Sequence, residues 1–210
     1  MEKNFVSAEE FLQHRYTLPT PAPSLPLPDE PDIDLKTLEK PYSNITVDAI
    51  NAVEAGNSPF YIPLTASDWL NKSQLIRVHH ALVLYEISKV FGSVREHPLD
   101  EILADAIGQI AAFGDFRAER QKLFFGLDGD RCDGRLKNYC QTVAPEERPK
   151  VYRAVGKALD ILEDEVNATR NYFDRFRLLA CRSIEETLHG TPRTSRKKFA
   201  ARKYFWGVVA

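Results

Sequence analysis

The hydrophobic positions of the C-terminal half recur with the period of a helix. Between residues 145 and 189 they are spaced by three, four and once seven, and they are Val151, Val155, Leu159, Leu162, Val166, Phe173, Phe176, Ala180, Ile184 and Leu188. Pro149 suits the first turn of a helix, and Gly190 suits the residue after its end. The pattern predicts one long amphipathic helix, which would measure about 60 Å and give an elongated subunit unless the chain breaks. The weakest points are Gly156 and residues 167–169, where helix propensity is low.

Two strongly apolar helices are predicted in the middle of the chain. Thr65 can cap a helix that starts near Trp69 and ends at Gly92, and its apolar content predicts deep burial. Pro98, at a first-turn position, opens a helix that runs to Phe113. The sequence shows no internal repeat and no sustained alternation of apolar and polar residues. It therefore predicts an all-α fold, an elongated helical bundle with a long helix in the C-terminal half.

The segment before these helices has a different composition. Residues 18–41 contain seven of the thirteen prolines together with several carboxylates, which favours an extended, solvated chain over a packed one. A spacer is a more common use of such a segment than a ligand for an SH3-type domain. We expect three parts: a flexible acidic arm over residues 1–45, a helical core over 46–190, and a basic aromatic tail over 191–210.

Charge and cysteine content narrow the class of protein. The net charge is −2, but residues 1–43 hold eight acidic and four basic side chains, whereas residues 189–210 hold six basic and no acidic ones. Three cysteines without a secretory context predict reduced thiols. No segment has the pattern of a signal peptide, and no apolar run is long enough to span a bilayer. We expect a soluble, non-secreted protein that does not use a membrane.

Candidate catalytic and metal-binding residues are sparse. The acidic loop 128–134 has the wrong register for a calcium loop, with Asp133 where glycine is needed and Tyr139 where glutamate is needed. His79 and His80 are adjacent and so lie on different faces of a helix, without further ligands at suitable spacing. The chain has no phosphate-binding glycine loop and no recognisable nucleophile motif. The sequence predicts no metal, no cofactor and no enzyme activity. A carboxylate-based enzyme is kept as a further alternative, and its weakness is that the sequence shows no convergent set of polar residues.

A cluster of cations follows the second apolar helix. Arg117, Arg120 and Lys122 stand next to the aromatic residues Phe124 and Phe125. Side chains of this type hold nucleic-acid phosphates, but a run of charges is equally often a solvated surface. The pattern alone leaves both alternatives open.

The last twenty residues combine cations with aromatic rings. Phe199 and Trp206 are seven residues apart, so in a helix both rings would lie on one face. We expect the rings to pack on a hydrophobic surface of the same subunit or of a neighbour, with Arg196 and the following lysines solvated or paired.

Three segments of the chain carry a resemblance to a known class of proteins: Glu-Thr-Leu-His-Gly-Thr at 186–191, Arg-Lys-Lys-Phe at 196–199 with Trp206, and Ala-Phe-Gly-Asp-Phe-Arg-Ala-Glu-Arg at 112–120. In these segments the chain resembles the coat proteins of rod-shaped plant RNA viruses of the tobamovirus and furovirus kind. The resemblance implies RNA binding by Arg117 and Arg120, to which Lys122 is added, and subunit packing by Phe199, Trp206 and Arg196. Ala200 departs from the pattern of these coat proteins, because in several genera glutamate directly follows the phenylalanine that corresponds to Phe199.

A second, weaker resemblance is to the flexuous potexvirus-type coats, through residues 103–107 and 198–201. Both resemblances imply a capsid subunit that assembles helically around single-stranded RNA, found in the virion and the host cytoplasm. The alternative is a non-viral helical adaptor or regulator that binds nucleic acid or an acidic partner through its basic tail. The size of the assembly distinguishes the two, because a coat forms long particles and an adaptor stays small.

Overall fold

The predicted all-α fold is confirmed. A computed structural model describes residues 5–14, 31, 33–92 and 97–190. Within them lie nine α-helices, two 3-10 turns (Leu35–Glu39 and Tyr42–Asn44) and one small sheet. The helices are α1 Ala8–Gln13, α2 Val47–Asn57, α3 Ala66–Phe91, α4 Pro98–Phe113, α5 Ala118–Phe125, α6 Leu136–Tyr139, α7 Arg148–Ala168, α8 Tyr172–Ala180 and α9 Ile184–Leu188. The strands β1 Leu127–Asp128 and β2 Arg131–Cys132 pair antiparallel, with Leu127 opposite Cys132.

Helices α3 and α4 pack on each other over the largest helix contact of the fold. Thr65 and Asp68 form a capping box at the start of α3, and Gly92 ends it in a left-handed conformation, as predicted. Gly108 lies in the contact, where a Cβ atom would stand 3.0 Å from the Cα atom of Ile76. The two backbones therefore approach closely at this point. The predicted deep burial of α3 is only partly right, because Leu75 and Leu82 are exposed.

The C-terminal half contains a long helix, but the prediction of a single helix over residues 145–189 is wrong. Helix α7 ends at Ala168, and α8 and α9 follow as separate short helices. The break falls at residues 167–169, one of the two weak points in the sequence, whereas Gly156 stays helical. Helix α9 packs back on α7, and α8 packs on α4. The segment is therefore folded back on the core rather than extended over 60 Å.

Asn167 gives a physical reason for the break. Its amide oxygen accepts a hydrogen bond from the backbone N–H of Phe116 at 2.9 Å, and its amide nitrogen donates to the carbonyl of Phe116 at 2.8 Å. The next helix starts where Asn171 caps it by accepting from the N–H of Asp174. These bonds tie the end of α7 to the α4–α5 connection.

Two hydrophobic clusters form the core of the described residues. The larger one joins α1, α3, α4, α7, α8 and α9, and includes Phe116 and Phe125. The smaller one lies between the segment before α2, the start of α3 and the end of α5, and consists of Tyr42, Ile45, Ile50, Trp69, Ile76, Ala112 and Phe124. Trp69 anchors it, because its indole N–H donates to the carbonyl of Ile45 at 2.8 Å.

Parts of the predicted N-terminal arm contribute to these clusters. Ala8 and Phe11 of α1 are buried against the larger one, and Tyr42 is 3% exposed in the smaller one. The predicted boundary at residue 45 thus falls within packed chain, while residues 15–30 and the tail 191–210 lie outside the described residues. The three-part division stays a prediction for those segments.

The turn-rich loop 126–134 is a tight hairpin that follows α5. A Cβ atom on Gly126 would lie 2.4 Å from the backbone nitrogen of Gly134, and Gly126 has a φ of +64°. Both the close approach and the left-handed conformation require glycine there.

Within the described ranges, no helix has the length and apolar content needed to cross a membrane.

Candidate functional site

A line of polar side chains runs along one face of the mostly apolar helix α4. Glu101, Asp105 and Gln109 are spaced by four residues and are all buried, with Asp105 and Gln109 fully so. Four-residue spacing places them one above the other on the helix. Their partners come from other elements, and together they form what we call the buried polar network: Tyr42, His80, Glu101, Asp105, Gln109, Gln121 and Arg135.

Asp105 is the centre of this network. Its carboxylate accepts hydrogen bonds from the Tyr42 hydroxyl, the Gln121 amide and the Arg135 guanidinium. Arg135 also donates to the Tyr42 oxygen at 2.7 Å. Burial raises the pKa of Tyr42 to about 12, so its hydroxyl keeps its proton and remains a donor. Both oxygens of Asp105 are therefore occupied by groups of the same chain.

His80 and Glu101 form the outer edge of the network. The Nε2 atom of His80 lies 2.9 Å from a Glu101 oxygen and 3.7 Å from Asp105. Burial lowers the pKa of His80, because the charged imidazole loses its hydration. Burial alone would raise the pKa of Glu101, but the hydrogen bond from His80 and the nearby charge of Arg135 outweigh it and lower that pKa. A neutral imidazole thus donates to an ionised carboxylate at neutral pH.

Arg120 and its partners form a second buried polar cluster, which we call the Arg120 centre. It is joined to the buried polar network. The guanidinium of Arg120 binds Glu54 in a bidentate arrangement at 2.8 and 3.2 Å, and Asp115 accepts another bond at 3.2 Å. The side chain is 1% exposed, and its guanidinium carbon lies 3.8 Å from the centre of the Phe113 ring. Gln109 connects the centres, because it accepts from Arg120 at 3.1 Å and donates to Gln121 at 2.9 Å.

These geometries favour a structural role for both the buried polar network and the Arg120 centre. A buried ion pair is stabilising only if its geometry is good and further hydrogen bonds satisfy the remaining polar atoms. The Arg120 centre meets that condition, whereas in the buried polar network the Nε atom of Arg135 is buried without a hydrogen-bond partner among the described residues. Together they join α2, α3, α4, α5 and the segment before α6. Within the described residues, His, Cys, Asp and Glu side chains form no group of three or more that could hold a metal ion.

The three predicted RNA-binding cations lie in different surroundings. The expectation that Arg120 faces phosphate at the surface is wrong, because its side chain is buried and is paired with Glu54. Arg117 is partly exposed, and its Nε atom donates to Asp115 at 2.9 Å. Lys122 is paired with Glu119 at 2.6 Å and with Asp160 at 2.7 Å. RNA binding by Arg117 and Lys122 stays a prediction, and it would require phosphate to compete with these carboxylates.

The pKa of Lys122 agrees with this pairing. Burial alone would lower it, but the hydrogen bonds to Asp160 and Glu119 raise it overall, so the ammonium group keeps its charge.

The predicted subunit-packing residues Phe199, Trp206 and Arg196 lie outside the described residues.

An exposed apolar ridge lies on the connection between α2 and α3. Phe60 is 90% exposed and Ile62 is 82% exposed, whereas Tyr61 between them points inward. Asn51 of α2 holds the backbone in place: its side-chain oxygen accepts from the Tyr61 hydroxyl at 2.7 Å and from the N–H of Leu64 at 2.9 Å. We call Phe60 and Ile62 the apolar ridge.

The three cysteines are free thiols with different exposure. Cys140 is fully buried in the larger cluster, and burial raises its pKa to about 12. Cys132 and Cys181 are half-buried. Because the thiolate is the reactive form, burial and the raised pKa both protect Cys140 from reaction.

Comparison with known proteins places the chain in a family. It belongs to a family of unknown function (DUF7005), whose sequence model matches residues 37–179. The match covers α2 to α8 except for the last residue of α8, and so includes the buried polar network, the Arg120 centre and the apolar ridge. Neither the curated proteins nor the solved structures gave a match.

Sequence reasoning missed the buried polar network. A signal was present, since polar residues at 101, 105 and 109 form a stripe with four-residue spacing beside the apolar face of the helix. His80 was considered as a metal ligand and was set aside for lack of further ligands. The partners of these residues come from distant parts of the chain, which periodicity within one helix does not identify.

Proposed function

We propose that this protein is a structural subunit that works by associating with further copies of itself. The observation that carries the proposal is the apolar ridge, in which a phenylalanine and an isoleucine stand almost fully in solvent on a held backbone. Burying two such side chains in an interface would contribute roughly 1.5–3 kcal/mol each. Contiguous exposed apolar surface is typical of interaction sites, and the two residues are only two positions apart in one segment.

The local chemistry of the ridge supports binding rather than random exposure. Pro59 and Pro63 flank it and have no N–H groups, which limits unspecific strand pairing. The bonds from Asn51 fix the backbone, so that little conformational entropy is lost when a partner covers the two side chains. The ridge therefore has the properties of a pre-organised anchor.

A finer proposal is that the assembled subunits coat single-stranded RNA in a virus particle. Its support is the resemblance to rod-shaped and flexuous plant virus coats, and the six basic residues without acidic ones near the C-terminus. Because Arg117 and Lys122 are already paired with carboxylates, most of the phosphate binding is assigned to the tail. Each subunit would bind RNA weakly, and contacts between subunits would provide the remaining affinity.

The rival is a helical adaptor that binds nucleic acid or an acidic partner through the same tail. It predicts a small complex of fixed size, whereas a coat subunit predicts long helical particles. The charge distribution supports both proposals, and the apolar ridge favours the first because an adaptor acting through its tail does not need it.

Sedimentation and negative-stain microscopy of the full chain, with and without single-stranded RNA at low salt, test the proposal. We expect species larger than a dimer and, with RNA, helical particles. The double variant Phe60→Ser/Ile62→Ser should sediment as a monomer with an unchanged melting temperature. Leu35→Ser is the matched control, because Leu35 is 74% exposed elsewhere on the surface, and this variant should assemble like the original protein.

Two results would reject the proposal. One is a monomer at all micromolar concentrations whether or not RNA is present. The other is equal assembly of the ridge variant and the original chain, which would remove the ridge from the interface. Small complexes of fixed size in place of particles would favour the adaptor.

A further inference from the structure

A groove lies where α1, the start of α7 and α9 meet. It has a volume of about 530 Å³ and is lined by Ser7, Ala8, Glu9, Leu12, Glu147, Lys150, Glu185, Leu188 and His189. Its walls thus carry three glutamates and one lysine, and Ala8, Leu12 and Leu188 give it apolar surface. We call it the acidic groove.

Two of the three glutamates have no cation of the described chain to neutralise them. Glu147 is engaged, because it accepts from the N–H of Ala8 at 2.8 Å and pairs with Lys150, and these bonds lower its pKa. Glu9 and Glu185 instead share one neutral donor, the Gln13 amide, at 3.3 and 3.5 Å. Within the described part of the chain, neither has a cation at ion-pair distance. The groove therefore keeps a net negative charge.

The position of the groove relates it to the C-terminal tail. His189 lines the groove, and the described chain ends one residue later at Gly190. The twenty residues that follow contain six cations and no carboxylate side chain, with Phe199 directly after Lys197 and Lys198. An acidic groove with an apolar surface is complementary in charge and in hydrophobicity to this segment.

We propose that the acidic groove binds the basic aromatic segment 191–210 of the same chain. From Gly190 to Lys197 an extended chain reaches about 23 Å, enough to return to a groove whose wall is one residue away. A short tether gives an effective concentration in the millimolar range, so that a few ion pairs of modest strength suffice for binding. While docked, the cations of the tail are neutralised by Glu9 and Glu185 and are not free to hold an RNA phosphate or an acidic partner.

This docking is independent of the apolar ridge, which lies on another connection of the fold. The tail would be masked in the isolated subunit and released when a polyanion competes for its cations. Ion pairs at a solvent-accessible groove weaken as salt rises, since the screening length falls to about 3 Å at 1 M. The masking is therefore expected to be strongest at low salt.

Carbodiimide coupling of the full chain, followed by mass spectrometry of the monomer band, tests the proposal directly. The reagent joins a carboxylate to a lysine amine in direct contact. We expect links from Lys197 and Lys198 to Glu9 and Glu185, at least about tenfold more abundant than links to the exposed carboxylates Asp128 and Asp164. High salt should abolish the preference.

Limited trypsin digestion gives a second readout that does not depend on coupling. Cleavage after residues 196–198 should be several-fold faster in Glu9→Gln/Glu185→Gln, because the docked tail is released. Asp128→Asn/Asp164→Asn removes the same charge at other exposed positions and should leave the rate unchanged. The melting temperatures of both variants show whether they are folded.

Three outcomes would overturn the proposal. They are equal coupling to groove and control carboxylates, coupling found only in a dimer band, and identical cleavage rates for the groove variant and the original chain. The second outcome would assign the groove to the tail of a neighbouring copy. Each outcome is distinct from failure of the self-association experiment, which concerns the ridge.

Discussion

At the scale of single residues, the burial of Arg120 changes how the basic cluster should be studied. Removing one partner of a buried ion pair typically costs about 3–5 kcal/mol, because a charge is left unpaired in the interior. A variant of Arg120 that loses RNA binding would therefore report a damaged fold. Arg117 and Lys122, which are partly exposed, are the cations of this cluster that can be tested for RNA binding itself.

His80 predicts how the stability of the protein depends on pH. Its pKa is lower in the folded protein than in the unfolded chain, so the unfolded chain binds more protons. Stability is then complete well above the ordinary histidine pKa of about 6.5 and is lost as the pH falls below it, by at most about 1.4 kcal/mol per pH unit for one proton. Glu101 acts in the same direction below its ordinary range, since its folded pKa is also lowered.

The test is the free energy of unfolding by urea between pH 7.5 and about 5, a window around the histidine pKa. We expect it to fall on acidification in the original protein and to fall less steeply in His80→Gln. His79→Gln is the neighbouring control and should keep the original slope, because His79 is not part of the network. Equal slopes in all three proteins would show that His80 does not titrate in this way.

At the scale of elements, the contact between α3 and α4 depends on Gly108. An alanine there would bring Cβ to 3.0 Å from the Cα, carbonyl oxygen and side chain of Ile76, so one helix must shift. We expect Gly108→Ala to lower the free energy of unfolding by about 1–3 kcal/mol. The measurement is a urea or thermal unfolding curve.

Gly156→Ala is a matched control for that substitution. Gly156 also lies inside a helix, but its Cβ would meet only the Leu127 side chain at an ordinary 3.6 Å. This variant should be stabilised by up to about 1 kcal/mol, because alanine is the better helix former. Destabilisation of both variants to the same extent would show that the close approach at Gly108 has no special cost.

The elements differ in how far the sequence could predict them. The boundaries of α3 and α4 were predictable, because a capping threonine, Pro98 and Gly92 mark them locally. The end of α7 was predictable only as a weak point, because the bonds that fix it join Asn167 to Phe116, about fifty residues away along the chain. Local patterns thus indicated where a helix can end, and tertiary contacts decided that it does.

The candidate sites were less predictable than the helices for the same reason. The sequence treated Arg117, Arg120 and Lys122 as one cationic cluster, yet Arg120 turns inward to meet Glu54 of α2, whereas Lys122 meets Asp160 of α7. The exposure of Phe60 and Ile62 also could not be foreseen, since an apolar residue in an extended segment is more often buried. These outcomes depend on which element of the fold lies opposite each side chain. The sequence pattern within one helix does not give that information.

At the scale of the whole molecule, the two polar centres connect the two hydrophobic clusters. Tyr42 belongs to the smaller cluster and donates to Asp105 of α4, whose neighbours on the same helix lie in the larger one. Gln109 extends the connection to Arg120 and hence to α2. We expect the two clusters to unfold together, because separating them would leave buried charges without partners.

Cys140 makes that cooperative opening measurable. Its thiol lies in the larger cluster with a pKa near 12, so an alkylating reagent at pH 8 should modify it only in molecules whose interior has opened. With Cys132 and Cys181 replaced by serine, the labelling rate divided by that of a free thiol gives the fraction of open molecules at each urea concentration. A rate close to that of a free thiol in the absence of urea would contradict the burial. The labelling of Cys140 therefore reports how often the interior of the protein opens under conditions in which the protein is folded.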